Sequence, residues 1–187
     1  MLGGAAEHEV VYAALRVPAL QREAIWALGH VATPRAVEAC LAGMKHEGVA
    51  RACGEAYCHI TGADLERDGL AVREVPPDAP PFEEDDLDAD LVPPPDAAWP
   101  LPDAEAVQRD WTTRAAQFAA EVRHVRGRAA TREALVAAIE HGPMLRRHDL
   151  VFELRARTRG SYDVETRAFA SRQRQMMAAA RAASGGR

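Results

Sequence analysis

The sequence has few aromatic residues and only three cysteines. Aromatic side chains make up 5% of its 187 residues, whereas 48% of the residues are hydrophobic and alanine supplies much of that fraction. A chain rich in alanine and poor in β-branched residues favours helices, because alanine loses no side-chain entropy on entering a helix. The odd number of cysteines argues against a disulfide framework.

Long apolar runs and known catalytic motifs are also missing. No stretch approaches the roughly 18–20 apolar residues that are needed to cross a bilayer. Residues 1–9 lack the basic start and apolar core of a signal peptide, so we expect a cytoplasmic protein with no membrane partner. A nucleophile elbow, a phosphate-binding loop and a dinucleotide fingerprint are all absent. The sequence therefore predicts no enzyme, no catalytic residues and no cofactor.

What the sequence does contain is an internal repeat. Arg22–His30 and Arg51–His59 lie 29 residues apart and match at their arginine, alanine and histidine positions, with the large residues Leu28 and Tyr57 aligned. A period near thirty in helical sequence is typical of stacked helix pairs, each too small to bury its own apolar face. Thr33-Pro34 supports this pattern, because proline suits the first turn of a helix.

The middle of the chain, residues 70–102, differs in composition. It holds nine of the twelve prolines, and residues 76–105 carry ten acidic groups and no basic group. Proline removes backbone donors and like charges repel, so a solvated linker is predicted. Its apolar residues, with Trp99 as the anchor, predict that this linker docks partly onto the helices.

Helical patterns return after the linker. Asp103 and Thr131 are predicted N-caps. The predicted helices are Ala104–Ala120, Arg132–Glu140, Met144–Arg157 and residues 167–183. Arg123–Gly127 is predicted to be a break, and the alternation of Tyr162, Val164 and Thr166 predicts a short strand.

Two resemblances go beyond these patterns. The segment Trp26-Ala-Leu-Gly-His-Val-Ala-Thr-Pro-Arg-Ala-Val-Glu-Ala39 resembles the ALGxxxxPRAVxxL signature of HEAT-like repeats of the phycobilisome-lyase type. A broader resemblance is carried by Ile60–Leu65, by the acidic stretch closing in Trp99-Pro100, by Arg123–Gly127 and by Arg146–His148. There the chain resembles the C-terminal part of an uncharacterised proteobacterial family of HEAT-like proteins, often encoded in type VI secretion gene clusters. The resemblance implies a repeat fold and brings no catalytic residues.

Composition, repeat and resemblance together predict an all-α fold in three parts. Residues 1–69 are predicted to form a short HEAT-like helical repeat array. Residues 70–102 form the acidic proline-rich linker, and residues 103–187 form a helical C-terminal module with a basic last helix.

The charge distribution predicts a protein partner. Residues 1–75 carry a net charge of −3, residues 76–105 carry −10 and residues 106–187 carry +8. Such a division indicates either a charged partner or pairing within the chain. The predicted partner-binding residues are Glu83, Glu84, Asp85, Asp86, Asp88, Asp90, Arg146 and Arg147. The groove between the second helices of the repeats is an alternative binding face.

The predicted function is that of a non-catalytic scaffold, adaptor, chaperone or immunity-type accessory factor linked to type VI secretion. Its partner would then be another protein, such as a component or effector of that system. In the immunity version, residues 83–90 would block the basic site of a toxin.

A metal-dependent enzyme is one alternative. His8-Glu9 and His46-Glu47 resemble the pairs that hold the di-iron centre of HEAT-repeat hydroxylases, but they lie 38 residues apart, off the 29-residue period. Cys53 and Cys58 would point about 140° apart on a helix, which does not suit a zinc site. The His-Glu pairs are explained more simply as polar residues exposed to water, and the cysteines as small apolar residues packed in the core.

Nucleic-acid binding is the second alternative. It would use the arginines of the C-terminal half, if they share one face: Arg146, Arg147, Arg155, Arg157, Arg159, Arg167, Arg172 and Arg174. The adjacent acidic segment would compete with phosphate for these charges, and few aromatic residues are present to stack on bases. A nucleic-acid partner is therefore disfavoured.

Overall fold

The computed structural model describes residues 4–73 and 94–184. These ranges contain eight α-helices and one two-stranded hairpin, which confirms the predicted all-α fold class. In chain order the elements are α1 (Ala5–Ala14), α2 (Gln21–Val31), α3 (Pro34–Gly43), α4 (Glu47–Thr61), α5 (Ala104–Arg114), β1 (His124–Val125), β2 (Arg128–Ala129), α6 (Arg132–His141), α7 (Arg147–Arg157) and α8 (Ala170–Ser184). Within the described ranges, no helix combines the length and the apolar character needed to span a membrane.

The first four helices form two consecutive pairs that stack on one another. α1 packs on α2, α3 packs on α4, and the pairs meet where α2 contacts α4. Leu28 and Tyr57, the large residues aligned by the sequence repeat, are both 0% exposed at the centre of this core. Because neither pair covers its own apolar face, stacking buries both faces at once.

The two equivalent helices α2 and α4 end in the same way. Ala32 follows α2 with a φ of 51°, and Gly62 follows α4 with a φ of 78°. A residue in this left-handed conformation lets the chain turn away after the last helical hydrogen bond. α3 then begins directly at Pro34, whose missing N–H costs nothing in a first turn.

α5 belongs to the same core as the helix pairs, and not to a separate C-terminal body. Asp103 caps it as predicted, since its carboxylate accepts hydrogen bonds from two backbone N–H groups of the first turn, each 3.0 Å away. The side chains that enter the first core are Val107, Trp111 and Phe118. The helix ends at Arg114, earlier than the predicted Ala120, and continues as a 3₁₀ turn over Ala115–Gln117.

The two described ends of the predicted linker lie side by side. Leu70 accepts a hydrogen bond from the Asp103 N–H, and Leu101 accepts one from the Val72 N–H, both at 2.8 Å. Ala71 and Pro102 form an antiparallel bridge between these strands of chain. The chain therefore leaves the helix pairs and returns to them at the same place.

The helices α6, α7 and α8 enclose a second core together with β1, and from here the C-terminal module means residues 124–184. Thr131 caps α6 as predicted, because its hydroxyl accepts from the Ala134 N–H at 3.2 Å. The largest fully buried side chains of this core are Val125, Leu135, Ile139, Leu154 and Tyr162. α7 is preceded by a 3₁₀ turn over Met144–Arg146, so the predicted helix from Met144 is present as two segments.

The short strand predicted around residues 162–166 is wrong. Tyr162 and Val164 are buried and the residues between and beside them are exposed, as the alternation suggested. However, the Tyr162 N–H donates to the Thr158 hydroxyl at 3.0 Å, so the chain makes a turn after α7. Alternating burial arises here from a loop laid over the second core.

Candidate functional site

The candidate site is the surface of α2 and α4 that carries the matched residues of the sequence repeat. We call it the repeat face. Its members are the matched pairs Arg22 and Arg51, and His30 and His59, with the aligned but different residues Trp26 and Glu55 between them. These positions lie at helical spacing on equivalent helices, so they form two adjacent rows. The groove predicted between the second helices of the repeats is this surface.

The arginine end of the repeat face holds the returning end of the linker. Arg22 Nη1 lies 2.5 Å from a carboxylate oxygen of Asp96, whose side chain is 7% exposed. Arg51 donates to the backbone carbonyl of Trp99. The Trp99 side chain is half-buried and packs against the first core. The matched arginines thus bind consecutive parts of one segment of the same chain.

The histidine end of the repeat face meets α7. The rings of His30 and His59 have centroids 6.0 Å apart and both are buried. His30 Nε2 lies 3.1 Å from Oδ2 of Asp149, and the indole N–H of Trp26 donates to the same oxygen at 3.1 Å. The hydrogen bond with His30 is the main cause that lowers the pKa of Asp149, so the Asp149 carboxylate remains ionised. We call this contact of α7 and Arg146 with the repeat face the junction.

Arg146 occupies the middle of the repeat face. Its guanidinium lies 3.8 Å above the Trp26 ring and donates to the Trp26 carbonyl at 2.8 Å. It also pairs with the Glu55 carboxylate, with Nη2–Oε2 at 2.5 Å. Only 2% of Arg146 is exposed. A side chain at Gly29 would overlap the guanidinium, so this glycine is required for the close approach of Arg146 to α2.

The segment Arg123–Gly127 caps the C-terminal ends of α2 and α4. The last carbonyls of a helix have no partner within the helix and need one from elsewhere. The His124 N–H donates to the carbonyl of Ala32 at 2.8 Å. Likewise the Arg126 and Gly127 N–H groups donate to the carbonyls of His59 and Ile60, each at 2.8 Å. This segment was predicted only as a break and instead forms β1 and the turn to β2.

Arg123 ties this cap to α7. Its Nε donates to the His30 carbonyl at 2.5 Å, and its terminal nitrogens pair with both oxygens of Glu153, one of them at 2.8 Å. Burial opposes ionisation of Glu153, which is 2% exposed, but the Arg123 hydrogen bonds outweigh it and lower the pKa of Glu153. A positive charge at the C-terminal end of α2 also suits the helix dipole.

Electrostatics keep His59 neutral. Burial lowers its pKa well below the usual value, and the cations of Arg146, Arg123 and Arg126 act in the same direction. Burial also lowers the pKa of His124. A proton on His59 would be an uncompensated charge among three guanidinium groups, so the junction is built for the neutral imidazole.

The predicted partner-binding residues have different fates. The acidic residues Glu83, Glu84, Asp85, Asp86, Asp88 and Asp90 lie outside the described residues. Arg146 is buried and already bound within the chain, so it does not lie on an open surface. Arg147 is half-buried and donates to the side chain of Gln173 at 3.2 Å.

The structure does not assemble the metal site weighed as an alternative. Glu9 pairs with Arg35 at the surface, and His46 is an exposed residue before α4. Burial raises the pKa of the Cys53 and Cys58 thiols to about 12, which leaves them poor ligands. Among residues 4–73 and 94–184, no three histidine, cysteine or acidic side chains are grouped to hold a metal ion. Within these two ranges, the side chains form neither a di-iron nor a zinc centre.

The C-terminal arginines do not all share a free face. Arg155 pairs with Asp163 at 3.7 Å, and Arg157 pairs with Glu153 at 2.7 Å. Arg146 and Arg147 are also bound within the chain, as described above. The exposed remainder of the predicted set is Arg159, Arg167, Arg172 and Arg174.

Sequence reasoning missed an exposed apolar surface on the C-terminal module. Met144, Leu145, His148 and Phe152 are exposed residues of α7 and the turn before it, and Phe169 is an exposed residue beyond the loop that His148 contacts; we group these five as the aromatic face. Phe169 is 88% exposed and Phe152 is 67% exposed. One signal was available in the sequence: Phe152 lies off the apolar stripe of α7 that Leu150, Val151 and Leu154 define.

Polar contacts connect the elements that carry the aromatic face. His148 Nδ1 and Thr166 Oγ1 lie 2.9 Å apart and connect α7 to the loop before Phe169. Gln173, which is 3% exposed, donates from its amide to the carbonyls of Thr166 and Ala168 at 2.8 and 2.7 Å. The two exposed phenylalanines are therefore presented from backbone that is fixed on both sides.

Comparison with known proteins adds no assignment. No family model, curated protein or solved structure matches this chain.

Proposed function

We propose that this chain is a non-catalytic protein-binding scaffold whose docking surface is the aromatic face. The observation that carries the proposal is the exposure of Phe169 and Phe152, at 88% and 67%, on a rigid part of the fold. Large exposed aromatic side chains in one patch are typical of interaction sites, and such residues are enriched among those that dominate binding energy.

The repeat face is a weaker candidate because the chain already covers it. Asp96 and Trp99 occupy its arginine end, and Arg146 and Asp149 occupy the rest. A partner would have to displace a buried ion pair to bind there, and breaking such a pair costs about 3–5 kcal/mol. Binding at the aromatic face requires no such displacement.

The proposed partner presents an acidic protein surface with an apolar centre. Arg172 follows Phe169 by three residues and is exposed. Arg155 follows Phe152 by three and is also exposed, and its pairing with Asp163 is a long contact of 3.7 Å at the surface. Cations beside an apolar centre steer an acidic surface into place and disfavour basic ones. The helix-pair packing is compatible with the HEAT-like resemblance, which makes a type VI secretion component or effector the first class of partner to test.

The test compares partner capture by the wild-type chain and by two variants. Phe152→Ser/Phe169→Ser removes both aromatic anchors, and Val10→Ser removes a 69% exposed apolar residue of α1 as a matched control. A protein captured from the source organism is then purified and its affinity measured by calorimetry. We expect the double variant to bind at least about 100-fold more weakly, equivalent to two hot-spot residues at about 1.4 kcal/mol or more each.

Equal affinity of the double variant and the Val10→Ser control would overturn the proposal. The proposal is also overturned if the affinity for the partner does not change with salt or in the double variant Arg155→Gln/Arg172→Gln, because the partner's surface would then not be acidic. A dimer that the double variant abolishes, seen by light scattering with the purified chain alone, would replace the acidic partner with a second copy.

A further inference from the structure

A small cavity lies between α4 and the C-terminal module, and neither Phe152 nor Phe169 lines it. Its volume is about 90 Å³. The polar residues that line it are Glu55, Cys58, His59, Arg126 and Arg146, and Leu150 is among its apolar lining residues. A volume near that of three water molecules admits one small ion and excludes a nucleotide or a peptide.

His59 contributes an unsatisfied polar atom to this site. The residue is 5% exposed, and its Nε2 is buried without a hydrogen-bond partner in the structure. A buried polar atom left unpaired is unfavourable, and native proteins almost always provide a protein group, a water or a ligand for it. With its proton on Nε2, the neutral imidazole is a hydrogen-bond donor.

Arg126 contributes a charge that no described carboxylate balances. Arg146, the other cation at the cavity, is neutralised by Glu55 at 2.5 Å. In the part of the chain that the structure describes, no carboxylate pairs with the Arg126 side chain. Arg126 lines the cavity, and its charge favours the thiolate of Cys58 and the neutral form of His59, although burial keeps the pKa of the Cys58 thiol raised. The polar lining therefore carries a net positive charge.

The backbone fixes Arg126 in this position. Its φ is 52°, in the left-handed region, and its N–H donates to the His59 carbonyl at 2.8 Å. Gly127 follows with a φ of 79°, and a side chain there would collide with the Thr61 carbonyl. A two-residue turn with both φ angles positive suits a tight hairpin. One short hydrogen bond between the β1–β2 turn and α4 thus holds the backbone of Arg126 beside that of His59.

We propose that the cavity binds one inorganic oxyanion of phosphate or sulfate size between Arg126 and His59. Arg126 supplies the charge and its planar donors, which match the oxygens of such an anion. His59 supplies the Nε2–H donor that otherwise has no partner. The bound anion connects α4 to the hairpin and the C-terminal module, so it strengthens their contact.

Thermal unfolding with inorganic phosphate is the first test. Phosphate is titrated at constant ionic strength with sodium chloride, using the wild-type chain, Arg126→Gln and the control Arg128→Gln. The control removes one arginine from the same hairpin, at an exposed residue that does not line the cavity. At a phosphate concentration ten times Kd, we expect the Tm of the wild type and of Arg128→Gln to rise by about 3–6 °C. Arg126→Gln should show no rise, and Arg126→Lys should recover part of it.

Nitrogen NMR of the His59 side chain is the second test. Phosphate should shift the Nε2 resonance of the wild type with the same Kd as the thermal titration and leave that of Arg126→Gln unchanged. The proposal is overturned if Tm rises equally in all four chains, or if saturating phosphate and sulfate leave the His59 Nε2 resonance unshifted. It is also overturned if the Kd for phosphate lies above the highest concentration used, because the cavity would then hold an adventitious ion only. None of these results bears on the aromatic face.

Discussion

Replacing Arg146 by glutamine would remove the group that joins the C-terminal module to the repeat face. The guanidinium is 2% exposed, stacks on Trp26 and neutralises Glu55. Without it, no ion pair of the Glu55 carboxylate, whose side chain is 17% exposed, is left among the described residues. Breaking a buried ion pair costs about 3–5 kcal/mol, and the amide of glutamine recovers one hydrogen bond of about 1 kcal/mol. We expect a loss of about 3 kcal/mol, a large part of a typical total of about 5–15 kcal/mol.

Urea unfolding followed by circular dichroism measures this loss, and a double-mutant cycle assigns it. Arg146→Gln, Glu55→Gln and the double variant should give a coupling energy of about 2 kcal/mol, because each single change leaves the other group unpaired. Arg181→Gln is the matched control, since Arg181 pairs with Glu140 at the surface with its side chain 62% exposed. Its cost should stay below about 1 kcal/mol. If Arg146→Gln costs no more than this control, the reasoning about the junction is refuted.

Two further predictions concern the same junction. Because His59 is buried and its pKa is lowered, the unfolded chain binds one more proton at His59 than the folded chain below a pH of about 6.5. The free energy of unfolding should therefore fall as the pH drops from 7 to 5.5, by up to about 1.4 kcal/mol per pH unit. Urea unfolding at the two pH values should show a smaller drop for His59→Gln, and an unchanged drop would contradict the role given to His59. Gly29→Ala should lower the free energy of unfolding, because the new methyl group overlaps the Arg146 guanidinium, although alanine normally favours a helix by about 1 kcal/mol. The control is Gly48→Ala, which should be neutral or stabilising because its methyl group would meet nothing within 4 Å. Equal effects of the two changes would show that Gly29 is not needed for the close approach of Arg146 to α2.

Local sequence signals predicted much of the fold. The caps at Asp103 and Thr131 form as expected, because capping needs only the residue and the three that follow it. The aligned pair Leu28 and Tyr57 is buried as the repeat predicts, since matched positions of stacked helices face one core. The helix starting at Pro34 follows from the fixed φ of proline.

Contacts between distant residues could not be predicted. Arg146 pairs with Glu55, 91 residues earlier, and nothing in either local sequence marks the pairing. The Arg123–Gly127 hairpin forms because the free carbonyls of α2 and α4 accept its N–H groups, which its own sequence does not encode. The strand predicted at Tyr162 failed for a related reason: alternation records which side chains are buried, and a loop over a core produces it as well as a sheet does.

Amide hydrogen exchange by NMR at His124, Arg126 and Gly127 tests the central claim most directly. These three N–H groups donate to the last carbonyls of α2 and α4, and so report whether the C-terminal module is fixed to the repeat face. The account predicts that they exchange as slowly as the amides in the middle of α4, with opening free energies close to that of global unfolding. Exchange at the rate of exposed loop amides, while α4 remains protected, would show that the two parts are not joined in this way.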